Sequence, residues 1–254
     1  MNVNLFTKNI ITLDEIDSTN SYAEKIISKN KPPEGTIILA KKQNKGRGLD
    51  KNKWESEDYK NLIFSIIIYP TFLKIYDQFL ITIFISLAIK DFLQELIPEE
   101  KVSIKWPNDI YVHNKKICGI LIQNASLGEN LNQSIVGVGI NINQEHFISD
   151  APNPISLKNI SNQNYDLNFL IAPLSEHLQK RYLEIQDIKQ LENIKNEYLN
   201  NLYKINTPSK FIVENNEKTG IIKGIDEFGR LEIRFDNQTE AFDLKEVKFV
   251  IKGI

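Results

Sequence analysis

The sequence predicts an α+β protein, a β-sheet covered by helices and followed by a small C-terminal β domain, on three observations. Residues 101–143 hold short runs of β-branched and aromatic residues broken by polar turns. The apolar stretch from Tyr76 to Ile97, with the amphipathic stretches Leu167 to Tyr182 and Gln190 to Leu202, supplies helices to cover a sheet. From Lys210 onward the pattern changes to short alternating strands, FIVEN, TGIIKGI, LEIRFD and EAFDL, as in a small β-barrel. The 254 residues suffice for one large and one small domain, and Thr207-Pro208-Ser209 divides them into 1–207 and 208–254.

In chain order, Ile11 to Ile16 alternates as a strand, and Asp17-Ser18-Thr19-Asn20 precedes the helical SYAEKIISK. Those four residues are N-cap types, and a helix start with spare hydroxyls and amides also offers donors to a polar ligand head. Thr36 to Lys42 is a second strand. It leads into a cationic, glycine-containing loop, Gln43 to Trp54, centred on Gly46-Arg47-Gly48. Such a loop is either solvated or wraps a phosphate, since glycines let backbone N–H groups approach the oxygens and Arg47 adds a forked cation. Asn61 to Tyr69 is a near-continuous apolar strand ended by Pro70, suited to burial on both faces.

The central stretch places strands at Val102 to Trp106, Ile110 to Val112 and Ile117 to Gln123, with His113-Asn114-Lys115-Lys116 as a hairpin turn. Lys105, Asn108, Asp109 and Lys116 stand among its apolar residues. The last strand, Ser134 to Asn143, carries Gly137 and Gly139, and glycine inside a strand marks the close approach of a ligand or another backbone. A face that exposes lysines and clears space with glycines suits an anionic ligand. Beyond it, Pro152-Asn153-Pro154 breaks the chain and Ile155-Ser156-Leu157 resumes it; the C-terminal strands turn at Asn215-Asn216 and Glu227-Phe228-Gly229 and carry no catalytic constellation.

Composition narrows the function classes. The formal net charge of −2 gives no footprint for nucleic acid, no stretch has the length and apolarity of a membrane span, and no secretory signal opens the chain, so cytoplasm is expected. One cysteine, Cys118, excludes internal disulfides and reads as a small buried hydrophobe; His113, His146 and His177 lack metal-ligand spacing. Walker and Rossmann glycine fingerprints are missing, and Ser18 has no nucleophile elbow around it.

Taken together, Asp17-Ser18-Thr19-Asn20, Gln43-x-x-Gly46-Arg47-Gly48 with Trp54, Lys105-Trp106-Pro107-Asn108-Asp109, Lys116-Ile117-Cys118-Gly119-Ile120-Leu121 and Gly137-x-Gly139-Ile140-Asn141 resemble the biotin protein ligases. The pieces lie in the family's order. The resemblance implies a mixed sheet backed by helices, of class II synthetase type, with a C-terminal SH3-like barrel. The first matching strand begins near Ile11, so the ligase-only form is expected, without a DNA-binding domain. It implies ATP-dependent activation of biotin to biotinyl-AMP and transfer to a lysine of a biotin carboxyl carrier domain, by a monomer or homodimer without nucleic acid or membrane partners. Mg²⁺ would come with the nucleotide phosphates, without a protein cage.

By the same resemblance Lys116 and Arg47 are catalytic. Ser18, Thr19, Asn20, Gln43, Gly46, Arg47, Lys116, Gly119 and Gly137 line the biotin site. Arg47, Gly48, Leu49, Asn108 and Asn141 serve the nucleotide, and Lys105, Trp106, Asp109, Trp54 and Gly139 support the site. The chain departs from the family loop, close to GRGRxGRxW, at Leu49, where a second arginine is common, and at Asp50, which adds negative charge. Weaker retention of the adenylate is expected, offset by Lys51 and Lys53. The alternatives are a lipoate or octanoate ligase or transferase on the same scaffold, or a non-catalytic biotin-binding module.

Overall fold

In the computed structural model the described residues are 4–49, 52–148 and 153–251. The larger part begins with β1 (Ile10–Ile16), α1 (Thr19–Asn30), β2 (Thr36–Gln43) and β3 (Leu62–Ile68), followed by the long helix α2 (Phe79–Leu96). Next come β4 (Val102–Lys105), β5 (Asp109–Val112), β6 (Lys115–Leu127) and β7 (Asn130–Ile140), then α3 (Leu157–Ser161), α4 (Ile171–Gln186) and α5 (Leu191–Asn200). The sheet order is β1-β2-β3-β7-β6-β5-β4. Only β1 and β2, joined by α1, run parallel; the other neighbours are antiparallel, so the sheet is mixed as expected.

Strand alternation sorts the two faces. Leu62, Phe64, Ile66 and Ile68 of β3, with Val136, Val138 and Ile140 of β7, enter the main core beneath α2, α4 and α5. On the opposite face Ile67 and Ile135 pack against Ala23 of α1 in a second, small cluster. That cover stops short, and the rest of this face holds glycines and polar side chains together with Ile63 and Leu121. No described helix is long and apolar enough to cross a membrane.

Two turns differ from the sequence expectation, the first by two residues and the second by one. The β5–β6 hairpin closes on His113 and Asn114 alone, since Val112 pairs with Lys115, so Lys115 and Lys116 belong to β6. His113 takes φ +52°, which lets a two-residue turn follow the strand twist. Likewise Val213 pairs with Asn216, making Glu214 and Asn215, both at positive φ, the turn of the next hairpin.

The C-terminal part holds β8 (Pro208–Val213), β9 (Asn216–Ile225), β10 (Leu231–Phe235), β11 (Gln238–Phe242) and β12 (Val247–Phe249) in the order β11-β10-β9-β8-β12. This is an antiparallel five-stranded sheet around Phe211, Phe235 and Phe242, whose outer strands β11 and β12 are not paired with each other. It is anchored to the larger part: Trp106 Nε1 donates to the Gly229 carbonyl at 2.9 Å, and a Cβ at Gly229 would stand 2.3 Å from the Phe79 ring. Trp106, expected to support the site, is thus also a tether.

Candidate active site

The uncovered face of the sheet floors a cleft of about 920 Å³. Of the residues assigned a biotin, nucleotide, catalytic or supporting role from the sequence, the cleft gathers all but Gly46, which sits behind it: a Cβ there would meet the Trp54 carbonyl oxygen at 2.5 Å. Asp50, Lys51 and Pro152 lie outside the described residues.

The floor is built by register. Gly119 of β6 lies directly opposite Gly139 of β7, and Leu121 opposite Gly137, which in turn faces Ser65 of β3. A Cβ at Gly139 would stand 2.3 Å from Trp54 Cε2 and one at Gly119 would stand 2.8 Å from Trp54 Cζ3, so the indole lies against bare backbone. Gly137 clears room for Asn20 in the same way, at 2.2 Å from Oδ1. A methyl at Gly137 or Gly139 must displace a packed group, which costs about 1–3 kcal/mol. Gly137→Ala is therefore expected to lower thermal stability and to weaken ligand binding on this floor about tenfold; titration calorimetry beside a melting curve checks both.

Lys116 reaches the cleft through an irregularity. Residues 116 and 119 are an odd number apart and would point to opposite faces of a regular strand. Between Ile110 and Tyr111 the register shifts, so that Tyr111 pairs with Lys116 and Ile110 with Cys118. Ile117 is the extra residue, and it joins Cys118 in the core. The bulge thereby brings Lys116 and Gly119 to one face, with Lys116 Nζ 3.3 Å from where a Gly119 Cβ would be.

Charges there are shared. Asp109 Oδ1 lies 2.6 Å from Lys116 Nζ, and Asp109 Oδ2 lies 3.6 Å from Lys105 Nζ. Lys116 also stands 5.6 Å from the centre of the Trp54 ring. Lys105 is enclosed by the rings of Tyr111 and Phe249, 5.3 and 5.0 Å from their centres. Burial lowers the Lys105 pKa, Lys116 adds to the lowering, and Asp109 opposes it. Cys118, fully buried, has its thiol pKa pushed up by desolvation, which leaves an inert thiol.

At the other end Ser18 is the N-cap of α1 by backbone, but its hydroxyl does not cap; that side chain, 4% exposed, borders the cleft. Gln43 Oε1 accepts from the Thr19 backbone N–H at 2.7 Å, and Ser65 Oγ lies 2.7 Å from Thr19 Oγ1. Asn108 donates to the Ile120 carbonyl at 2.7 Å and Asn141 to that of Ile155 at 3.1 Å. Two buried atoms at the floor lack a protein partner: the donor Trp54 Nε1 and the acceptor Asn141 Oδ1. Among the described residues no group of three or more His, Cys, Asp or Glu is arranged to hold a metal.

Several contributors had no sequence signal. Ser65 and Gln123 look like ordinary strand residues until the pairing puts them beside Asn20. The segment after β11 read as plain β domain, yet Leu244, Val247, Lys248, Phe249 and Ile251 line the cleft; only the packing of the two parts reveals this.

Comparison with known proteins agrees with this geometry. Residues 13–141 match the Biotin/lipoate A/B protein ligase family and residues 208–247 the biotin protein ligase C-terminal domain. The chain is 30% identical over 180 residues to the bifunctional ligase/repressor BirA of Bacillus spizizenii, covering 69% of this chain and 54% of that protein, so it spans about half that relative's length. It is 32% identical over 234 residues to the bifunctional ligase/repressor BirA of Escherichia coli K12, covering 89% of this chain and 70% of that one. Among solved structures, the biotin protein ligase from Aquifex aeolicus in complex with biotin and ATP superposes with a TM-score of 0.77 at 25% identity, over 96% of this chain and 100% of that one. The chain belongs to the Biotin/lipoate A/B protein ligase family, and the second matched domain places it among the biotin protein ligases.

Proposed function

We propose that the cleft activates biotin with ATP and passes the biotinyl group to a lysine of a biotin carboxyl carrier domain, with residues 1–207 as the catalytic part and 208–254 as the C-terminal domain. The observation that carries this is the Lys116–Asp109–Lys105 cluster set beside the glycine floor under Trp54. In the first step a carboxylate oxygen of biotin bonds to the α-phosphorus and the bond to pyrophosphate breaks. Two anions must meet, and Lys116, held by Asp109, stands where it offsets that charge in the transition state. Arg47 in the glycine loop takes the phosphate. In the second step the carrier amine bonds to the acyl carbon, AMP leaves, and the amine gives up a proton.

Asn108 and Asn141, which border the cleft, fit the nucleotide end. Ser18, Thr19, Asn20 and Gln43, at the far end, fit a polar ureido head. Mg²⁺ supplies charge neutralisation at the phosphate oxygens when ATP binds, and a protein end made of Lys116 and Arg47 is consistent with a metal held by those oxygens. The C-terminal match favours biotin over lipoate. The cytoplasm, where ATP and a carboxylase carrier meet, is the location this reading favours.

Biotin-dependent pyrophosphate release from Mg-ATP, run beside lipoate, tests the function. Release with biotin alone is the expected result. Release only with lipoate transfers the chain to the lipoate side of the family, and biotin binding without release makes it a binding module. Leu49 lines the cleft where the family loop has an arginine. Because a charge-assisted hydrogen bond contributes about 1.5–3 kcal/mol, Leu49→Arg is expected to slow loss of biotinyl-AMP about tenfold, measured by rapid filtration. Lys53 also lines the cleft and would partly offset the missing arginine.

A further inference from the structure

A chain of side chains leads from the buried floor of the cleft to the arginine at its mouth. Ser65 Oγ donates to Asn20 Oδ1 at 2.6 Å, Asn20 Nδ2 to Gln123 Oε1 at 2.7 Å, and Gln123 Nε2 to Glu24 Oε1 at 2.7 Å. The same Glu24 oxygen lies 3.5 Å from Arg47 Nη1, which also donates to Ser21 Oγ at 3.3 Å. Asn20 and Glu24 stand one helical turn apart on α1, so both reach Gln123 of β6.

The polarity of this chain is determined. The Glu24 carboxylate only accepts, so Gln123 turns its amide nitrogen to it and its oxygen to Asn20, whose amide nitrogen also faces the Leu121 carbonyl at 3.4 Å. The opposite orientation would set the Gln123 oxygen against the Glu24 carboxylate. Every donor therefore points toward Glu24, and a group that only accepts is what the end of such a chain requires. Among the described residues both side-chain partners of Arg47 take Nη1, which leaves the Nη2–Nε edge of the guanidinium for a ligand oxygen.

We infer that Glu24 is a positioning residue: fixed by Gln123 and Asn20, it holds the Arg47 guanidinium by one edge so that the other edge meets phosphate. This rests on the ligase reading given above for the role of Arg47, while the holding itself does not. A loop with leucine where the family has a second arginine depends more heavily on the orientation of the arginine it has.

The holding is read without catalysis, by the rate at which phenylglyoxal modifies Arg47, with Arg230 and Arg234 in the same digest as references. Ion pairs between half-exposed partners are weak. Glu24→Ala is thus expected to speed Arg47 labelling about 2- to 5-fold, Gln123→Leu to speed it less, and the isosteric Glu24→Gln to lie between. In the enzyme assay Glu24→Ala should raise the loss rate of biotinyl-AMP by a similar factor and have no further effect in an Arg47→Ala background. Unchanged Arg47 labelling in Glu24→Ala overturns the inference, as does faster adenylate loss of equal size in the Arg47→Ala background. Faster labelling in a chain that releases no pyrophosphate upholds the holding and faults the ligase reading instead.

Discussion

Replacing Lys116 with alanine is expected to lower biotin-dependent pyrophosphate release about 10²- to 10³-fold, the usual cost of removing one preorganised group from a charge-developing transition state. Two effects add. The cation that offsets carboxylate and phosphate is gone, and Asp109, left with Lys105 at 3.6 Å as its one remaining cation, turns a less compensated negative charge toward the cleft. The double variant Lys116→Ala with Asp109→Asn separates them, since it removes the repulsion without restoring the cation. Partial recovery, by several-fold, is expected in steady-state kinetics. Activity of Lys116→Ala within about threefold of the parent would remove Lys116 from the chemistry.

The largest stability effect should come from Arg181, far from the cleft. This side chain, 5% exposed, joins three elements of the helical layer. Its Nε and Nη2 donate to Asp91 Oδ2 of α2 at 2.9 and 2.6 Å, and its Nη1 donates to Glu184 of α4 at 2.8 Å and to Glu197 of α5 at 2.7 Å. Burial works against the charge, but the hydrogen bonds from Glu197, Glu184 and Asp91 outweigh it and raise the pKa above its ordinary value, so the cation persists at any pH at which the protein folds. Arg181→Met leaves these carboxylates without their shared cation, a change worth about 3 kcal/mol. In a chain of this size the melting temperature should fall roughly 6–12 °C, while the kinetics below the transition stay near those of the parent. A drop under about 2 °C by calorimetry would show that the cluster relaxes to water.

How legible all this was depended on the range of the interaction. The β3 run LIFSIII and the helix around Phe84 were readable because burial on every side leaves a continuous apolar signature. Gly137 and Gly139 signalled a close approach, but not that Asn20 and Trp54 are the groups approaching; that requires strand pairing. The hairpin turns were off by two residues and by one, because the conformations of His113 and Glu214 are set by strand twist, not by turn composition. The bulge at Ile117 had no signal, since its consequence, Lys116 and Gly119 on one face, exists only in the ladder with β5. The lining contributed by residues 244–251 was hidden for a similar reason: its partners are more than a hundred residues away.

The cross-strand pair Gly119 and Gly139 has a consequence for how this site can change over time. A wall made of peptide units presents the same surface whatever the neighbouring sequence, and any residue other than glycine there collides with Trp54. That wall is a fixed reference plane with no side chain available for adjustment. Shifts in ligand preference must therefore arise opposite it, in the loop bearing Arg47 and Leu49, in the first turn of α1, and in the segment around Phe249.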